Sequence, residues 1–323
     1  MVDLLLDDRL PDIDYGRHPA YGMEPDPELG RQAVEILTPL VEEMRQREQY
    51  RADHFGFRYG HDSEAGERLV REGSIRLQLS EAATAAIVNG ARRAIDLVKG
   101  RIGALQAEGK VPRFSDRLEL IERDTSPDLW LAVHQGLKQV GAYELTRTFF
   151  GATGVTLKQM AALVSTPDDS ETSIRPGEEG RLPTVGMHVD SSGRCILKIV
   201  LYLSQVGPGD GPFCFVPTSH RWSPSSEDRM YRRAFDKSPL SARTRASRRM
   251  FISLPKPMQV KAEFGGDLLR ESEDGQRLLA AEIAALGPPG LLSLFDPEAV
   301  HRGGLATTGE RQALLITLIA RYE

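Results

Sequence analysis

The chain has 323 residues, enough for one large or two modest domains with an ample core. Its formal net charge of −5, with 27% charged and 40% hydrophobic residues, is ordinary for a globular protein and lacks the basic excess of a dedicated nucleic-acid binder. The N-terminus lacks the basic region and long apolar run of a signal peptide, and no stretch approaches about 18 apolar residues, so we expect a cytoplasmic protein without a membrane partner. Cys195 and Cys214 suit a reducing compartment as small core residues, with a disulfide between them as the less favoured alternative.

The first 150 residues are predicted to be mostly helical, after an N-terminal arm rich in Pro, Asp and Gly. Apolar residues at three- and four-residue spacing predict a helix over 28–51. A second long helix is predicted over 81–105, with Ser80 as its N-cap, and a further one over 127–150. The alternating segment 73–79 predicts a short strand. Three histidines of this half are most simply interpreted as solvated or structural: His54, His61 and His134.

The second half is predicted to be built from strands. The run 196–203 is apolar on both faces, which is typical of a strand that is buried on both sides. Further strands are predicted at 156–165 (for which a helix is the alternative), 213–216, 290–295 and 311–322. Helices followed by strands with tight turns predict an α+β fold based on a double-stranded β-helix, or jelly-roll barrel. In this prediction, residues 1–150 form an arm and helices that pack on the catalytic core 151–323 as one integrated domain.

Residues 223–286 interrupt the strand pattern and predict a helical or irregular insertion. Its segment 229–249 is rich in arginine. The simpler interpretation is a solvated surface, and the alternative is a lid that meets an anionic substrate.

The residues with the clearest chemical meaning are His188 and Asp190, just before the strand 196–203. Residues i and i+2 of a strand point to the same face, so these two side chains can bind one ion. His301, in a Gly-rich corner, is the candidate for a third ligand. Two histidines and one carboxylate form the facial triad of non-haem Fe(II) oxygenases. Arg311 offers a planar fork suited to a carboxylate, with a surface salt bridge to an acid such as Glu310 as the alternative.

The order of these motifs resembles the phytanoyl-CoA dioxygenase-like branch of the Fe(II)- and 2-oxoglutarate-dependent oxygenases. The resemblance is carried by pieces that occur in the right order: His188-Val189-Asp190, the strand 196–203, Asp210-Gly211-Pro212-Phe213, Val216-Pro217-Thr218-Ser219-His220, His301 and Arg311. Thr218 stands where the family usually has glycine, which we interpret as a minor departure.

The resemblance implies a role for each matching position. His188, Asp190 and His301 would bind iron, and Arg311 would hold the distal carboxylate of 2-oxoglutarate. His220 would be structural. Some members of the family have a serine near the cosubstrate where this chain has Gly303, so another polar group must help, and Lys198 and Tyr202 are the candidates.

The implied activity uses Fe(II), 2-oxoglutarate and O2 to oxidise an unactivated C–H bond of a small molecule, such as an amino acid or natural-product intermediate, with release of succinate and CO2. Hydroxylation is the default, and desaturation or cyclisation begins in the same way. Asp190 argues against the related halogenases, which have Gly or Ala at this position. Two alternatives remain: a cupin-like metal enzyme that does not use 2-oxoglutarate, and a catalytically silent barrel that binds a small molecule. The sequence leaves the substrate and the oligomeric state open.

Overall fold

We describe the fold from a computed structural model of the whole chain. The residues that the structure describes are 24–55, 61–110, 112, 114–167, 190, 195–221, 231, 234–235, 238–242, 245–262, 280–304 and 306–322. The predicted N-terminal arm before residue 24, the ligand candidate His188, and residues 229–230, 232–233, 236–237 and 243–244 of the arginine-rich segment lie outside these residues.

Helices fill the N-terminal half and part of the insertion. Their bounds are α1 Pro27–Phe55, α2 Glu64–Glu72, α3 Glu81–Ala107, α4 Pro127–Gln139, α5 Ala142–Phe150, α6 Arg245–Ile252 and α7 Lys256–Ala262. The predicted N-cap of α3 is confirmed, because the hydroxyl of Ser80 accepts a hydrogen bond from the Ala83 backbone N–H. Among the helices that the structure describes, none combines the length and apolarity that crossing a bilayer requires.

Strands form two antiparallel sheets, so the chain is a mixed α+β protein. Their bounds are β1 Ser74–Gln78, β2 Leu118–Leu120, β3 Gly154–Ser165, β4 Ile196–Tyr202, β5 Phe213–Phe215, β6 Ile283–Ala284, β7 Leu291–Phe295, β8 His301–Gly303 and β9 Arg311–Arg321. The six-stranded sheet has the order β1-β7-β4-β9-β3-β2, and the three-stranded sheet has the order β6-β5-β8.

The larger sheet separates two apolar cores. Leu197, Ile199 and Leu201 of β4 belong to the core shared with α3, α4 and α5. Val200 and Tyr202, on the other face of the same strand, belong to a core that also contains residues of the smaller sheet. This division confirms the prediction that β4 is buried on both faces, and it places the smaller sheet against the larger one.

A third core joins α1 to the insertion. Leu37 and Met44 of α1 pack in one cluster with Phe251 of α6, and all three are fully buried. The same cluster contains Val216, which follows β5, and Val300, which precedes β8. The N-terminal helix and the insertion therefore pack at one end of the smaller sheet, where β5 ends and β8 begins and the Val216 N–H donates to the Val300 carbonyl.

Two predicted elements differ from the observed ones. The single helix predicted over 127–150 is two helices, because Gly141 adopts a left-handed φ of 73° and ends α4. The insertion 223–286, predicted to be helical or irregular, also contains β6 at its end, where Ile283 and Ala284 pair with β5. Both cysteines are buried and neither forms a disulfide, so the less favoured alternative is wrong.

Candidate metal centre

Asp190 and His301, which are distant in sequence, meet in the structure. The Asp190 backbone N–H donates to the carbonyl of Pro297, which holds Asp190 beside the segment that leads into β8. His301 opens β8, is almost fully buried, and pairs with Phe215 of β5. Its Nε2 lies 3.2 Å from Oδ2 of Asp190.

The hydrogen bonding of His301 selects its tautomer. Nδ1 lies 2.8 Å from the carbonyl oxygen of Ala299, which can only accept, so Nδ1 carries the proton. Nε2 is then the nitrogen that can bind a metal. Two ligands about 2.1 Å from one octahedral ion and in neighbouring positions are about 3.0 Å apart. The observed separation of 3.2 Å between Nε2 and Oδ2 fits such a pair of ligands.

The predicted third ligand, His188, lies outside the described residues and stays a prediction. Within the part of the chain that the structure describes, no group of three or more His, Cys, Asp or Glu side chains could hold a metal ion. The described residues therefore contribute two candidate ligands, and the site needs a further donor such as His188.

Aromatic rings pack around His301. The Phe295 ring centroid lies 4.9 Å from that of the imidazole, and the Phe213 centroid lies 6.0 Å from it. The two phenylalanines also contact each other, with centroids 4.6 Å apart. These rings fix the orientation of the imidazole and exclude water from one side of it.

Arg311, at the start of β9, is buried without an acidic partner among the described residues. Its Nη2 donates to the hydroxyl of Ser165 at 3.0 Å, across the pairing of β9 with β3. Its Nε and Nη1 are buried and have no hydrogen-bond partner in the described part of the chain. Burial lowers the pKa of the guanidinium, because the charged form is desolvated. A buried guanidinium with free N–H groups has the chemistry to bind a carboxylate.

The alternative role of Arg311 as a surface salt bridge with Glu310 is wrong. Glu310 pairs instead with Lys99, at 2.6 Å, and Arg311 is only 4% exposed. Arg302, which follows His301 in the sequence, forms an ion pair with Glu282: its Nε and Nη2 donate to this carboxylate at 2.6 and 2.9 Å. Arg311 is therefore the better of these two arginines for an incoming anion.

The other two candidates, Lys198 and Tyr202, lie on one face of β4 but differ in their contacts. The hydroxyl of Tyr202 donates to the Ala285 carbonyl at 2.7 Å and accepts from the Phe213 backbone N–H at 2.9 Å. Burial raises the pKa of Tyr202, while the positive charge of Arg311 opposes this shift. Lys198 Nζ lies 2.8 Å from Oδ2 of Asp190.

The pair of Asp190 and His301 and the side chain of Arg311 lie at two ends of one interior surface. Tyr202 contacts Phe213, and Phe215, two residues further along β5, pairs with His301. Two strand residues span about 7 Å, which separates these two contacts along the strand. Tyr202 in turn neighbours Arg311, because its partner in β9 is Ala313. A small dicarboxylate between the two ends could therefore reach both.

The chain resembles solved structures of low sequence identity. The crystal structure of EctD from S. alaskensis with 2-oxoglutarate and 5-hydroxyectoine is 17% identical and covers 80% of this chain and 76% of that chain, at a TM-score of 0.45. The structure of the same protein with bound Fe is 18% identical, covers 80% and 77%, and has a TM-score of 0.43. The epimerase SnoN in complex with Fe3+, alpha ketoglutarate and nogalamycin RO is 15% identical, covers 79% and 82%, and has a TM-score of 0.45. Neither a protein-family model nor a curated protein sequence matches the chain.

Several residues around the site were not identified from the sequence. Ser165 ends a predicted strand, but its contact with Arg311 depends on the pairing of β3 with β9, which the sequence does not specify. The ion pair of Glu282 with Arg302 likewise joins the residue before β6 to β8, and these two strands are not adjacent in the small sheet. His220, predicted to be structural, donates from Nε2 to the Val70 carbonyl at 3.0 Å and so ties its turn to α2.

Proposed function

We propose that this chain is a non-haem Fe(II)- and 2-oxoglutarate-dependent oxygenase. His301 and Asp190 would bind iron together with His188, and Arg311 would bind the distal carboxylate of 2-oxoglutarate. The observation that carries the proposal is the buried Arg311 guanidinium, whose Nε and Nη1 have no partner among the described residues, on the interior surface that also holds the pair His301 and Asp190.

The residues present fit the iron and the cosubstrate. Nε2 of His301 and Oδ2 of Asp190 are a nitrogen and an oxygen donor of the kinds that Fe(II) accepts, at a spacing suited to one ion. The Arg311 guanidinium offers Nε–H and Nη1–H to a carboxylate. When bound, the iron supplies O2 activation coupled to the decarboxylation of 2-oxoglutarate.

The surrounding residues orient Arg311 and His301 and exclude water from the imidazole. Ser165 holds one side of the Arg311 guanidinium and directs its remaining N–H groups. The Ala299 carbonyl fixes the His301 tautomer, and Phe213 and Phe295 exclude water beside the imidazole. The hydroxyl of Tyr202 is hydrogen-bonded to two backbone groups, and its side chain lines the interior surface near Arg311. We therefore assign Tyr202 a packing role beside the cosubstrate.

The architecture supports the same proposal. The two antiparallel sheets share an apolar layer that includes Val200, Phe213 and Phe295, which is the arrangement expected of a double-stranded β-helix. We propose that the N-terminal helices and the insertion form one integrated domain with this barrel. The buried cysteines Cys195 and Cys214, which form no disulfide, suit the reducing cytoplasm that we propose as its location.

The proposed reaction is the oxidation of an unactivated C–H bond in a small molecule, with hydroxylation as the default outcome. Asp190 supplies a carboxylate where a halogenase needs room for a halide. We propose no nucleic-acid or membrane partner.

A two-stage measurement tests the proposed function. Purified protein is first mixed with Fe(II) and 2-oxoglutarate without oxygen, and the absorption band that requires both is recorded. Air is then admitted, and succinate is measured. We expect the band and slow succinate release in the wild type, and neither in His301→Ala, because this substitution removes an iron ligand. A wild-type protein that shows no band and no succinate with any substrate panel would contradict the proposal.

A further inference from the structure

The interior face of β4 places a lysine directly on the candidate metal ligand. Nζ of Lys198 donates to Oδ2 of Asp190 at 2.8 Å, and the two side chains are 29% and 26% exposed. The same oxygen faces Nε2 of His301 at 3.2 Å. One carboxylate oxygen is therefore shared between an ammonium group and the imidazole nitrogen that would bind the metal.

A metal ion bound at Oδ2 of Asp190 would lie close to the ammonium group of Lys198. The lone pairs of Oδ2 that bind a metal ion are the ones that accept the hydrogen bond from Lys198. A dication beside Oδ2 and the positive charge of Lys198 repel each other over a few ångströms in a partly buried site, where solvent screening is weak. Lys198 also neutralises the negative charge that Asp190 would otherwise offer to a cation.

Cations differ in how much they depend on that charge. Mg²⁺ and Ca²⁺ bind through oxygen ligands and gain little from imidazole. Fe(II), Co(II) and other transition metals bind imidazole well and keep the contribution of His301 when the carboxylate is partly neutralised. A lysine on the carboxylate therefore weakens the binding of the hard, abundant cations more than that of transition metals.

We propose that Lys198 is a specificity-determining residue for the metal: its positive charge beside Oδ2 of Asp190 disfavours Mg²⁺ and Ca²⁺ more than a transition metal, which His301 also binds. The inference rests on the proposed function, because it takes Asp190 and His301 as metal ligands. It assigns Lys198 a role toward the metal instead of the direct contact with 2-oxoglutarate considered above.

Metal titrations of the full chain test this role without a turnover assay. Co(II) binding is followed by its visible absorption in the absence of oxygen, and Mg²⁺ binding by competition against Co(II). The wild type is compared with Lys198→Met, and with Lys99→Met as a matched control that removes a lysine from an exposed ion pair with Glu310. We expect Lys198→Met to bind Co(II) at least about tenfold more tightly and to gain still more affinity for Mg²⁺, since the local repulsion is gone. Lys99→Met should match the wild type.

Thermal unfolding gives a second readout that a merely structural lysine would not produce. Without metal, Lys198→Met should unfold at a lower temperature than the wild type, because Asp190 loses its ion pair with Lys198. Saturating Co(II) should abolish this difference, because the metal then occupies Asp190. A lysine that only supports the fold would lower the unfolding temperature equally in both states. Lys198→Gln, which keeps a polar side chain without the charge, replaces the Met variant if that variant does not fold.

The outcomes separate this inference from the proposed function. If the wild type binds Co(II) and the uncharged variants bind it equally or more weakly, with an unchanged preference over Mg²⁺, Lys198 has no such role while the iron site stands. If the wild type does not bind Co(II) at all, both the inference and the proposed iron site are wrong.

Discussion

At the scale of single residues, Arg311 is a buried cation without an acidic partner among the described residues. Its guanidinium is desolvated: Nη2 donates to the hydroxyl of Ser165, and Nε and Nη1 have no hydrogen-bond partner among the described residues. A cationic group whose pKa is lowered by burial is less stable charged in the folded protein than in the unfolded chain, so it costs stability at neutral pH. An anion that binds there removes this cost.

We therefore predict that Arg311→Met stabilises the protein in the absence of 2-oxoglutarate. The expected gain is on the order of 1–3 kcal/mol in the free energy of unfolding, because an unpaired buried charge is replaced by an apolar side chain of similar length. Urea unfolding with and without 2-oxoglutarate checks this: the cosubstrate should stabilise the wild type and leave the variant unchanged.

Arg302→Met is the control for this comparison, and its expected effect has the opposite sign. It removes the partner of Glu282, an acid that is 13% exposed, and should destabilise the protein by about 3 kcal/mol. If Arg311→Met destabilised the protein as much as Arg302→Met, an acid would have to pair with Arg311, and the assignment of the cosubstrate site would be wrong.

The backbone conformation of Thr218 makes its substitution for glycine more costly than the sequence indicated. Its substitution for the glycine usual in the resembled family was predicted to be minor. In the structure Thr218 has a left-handed φ of 67°, which costs a residue with a Cβ about 1–2 kcal/mol. Its N–H donates to the Glu72 carbonyl at 2.9 Å, so the turn keeps this conformation against the preference of threonine.

At the scale of elements, Gly73 joins α2 to β1 and leaves room for a distant turn. It ends α2 with a φ of 80°, and its N–H donates to the Leu69 carbonyl. A Cβ built at this position would lie 2.4 Å from Nδ1 of His220. The C-terminus of α2 and the turn after β5 therefore pack closely, with Gly73 against His220.

We predict that Gly73→Ala destabilises the protein by more than 2 kcal/mol. The new Cβ adds a steric clash with the imidazole to the roughly 1–2 kcal/mol cost of the left-handed backbone. Gly109→Ala is the matched control: Gly109 has a φ of 67°, and a Cβ there would meet no atom within 4 Å, so only the backbone cost applies. Urea unfolding of both variants measures the difference, and equal losses would show that His220 moves aside at little cost.

The sequence predicted long elements better than short ones. The strands β3, β4 and β9 were found because their 7 to 12 residues carry a pattern that is long enough to recognise. The strands β2, β6 and β8 have two or three residues each, too few for any period, and they exist because a neighbouring strand supplies hydrogen-bond partners. The break at Gly141 was missed because apolar spacing continues across it.

At the scale of the whole molecule, α1 is coupled to the candidate metal centre through the third core. Leu37 of α1 lies in the same cluster as Val300, and Val300 precedes the candidate ligand His301. The Val300 N–H also donates to the hydroxyl of Ser219, at 2.8 Å, in the turn after β5. A loss of packing at α1 can therefore loosen the segment that positions His301.

We predict that Leu37→Ala destabilises the protein by about 2–5 kcal/mol and also weakens Co(II) binding. The matched control is Leu137→Ala, in the core between α4 and the large sheet, which should cost similar stability but leave Co(II) binding unchanged. Urea unfolding and Co(II) titration of both variants separate the two effects. Equal Co(II) affinities in the two variants would show that α1 supports the fold without positioning the site.

The sequence by itself determined which residue types are available and which long segments become helices or strands. These properties depend on local periodicity and on side-chain chemistry, so Asp190, His301 and Arg311 could be selected before any contact was known. Only the tertiary structure decided that Arg311 is buried without an acid among the described residues, that Arg302 has Glu282, and that Lys198 shares the Oδ2 of Asp190 with His301. Pairing and desolvation arise between segments far apart in the chain, and no local pattern encodes their distances.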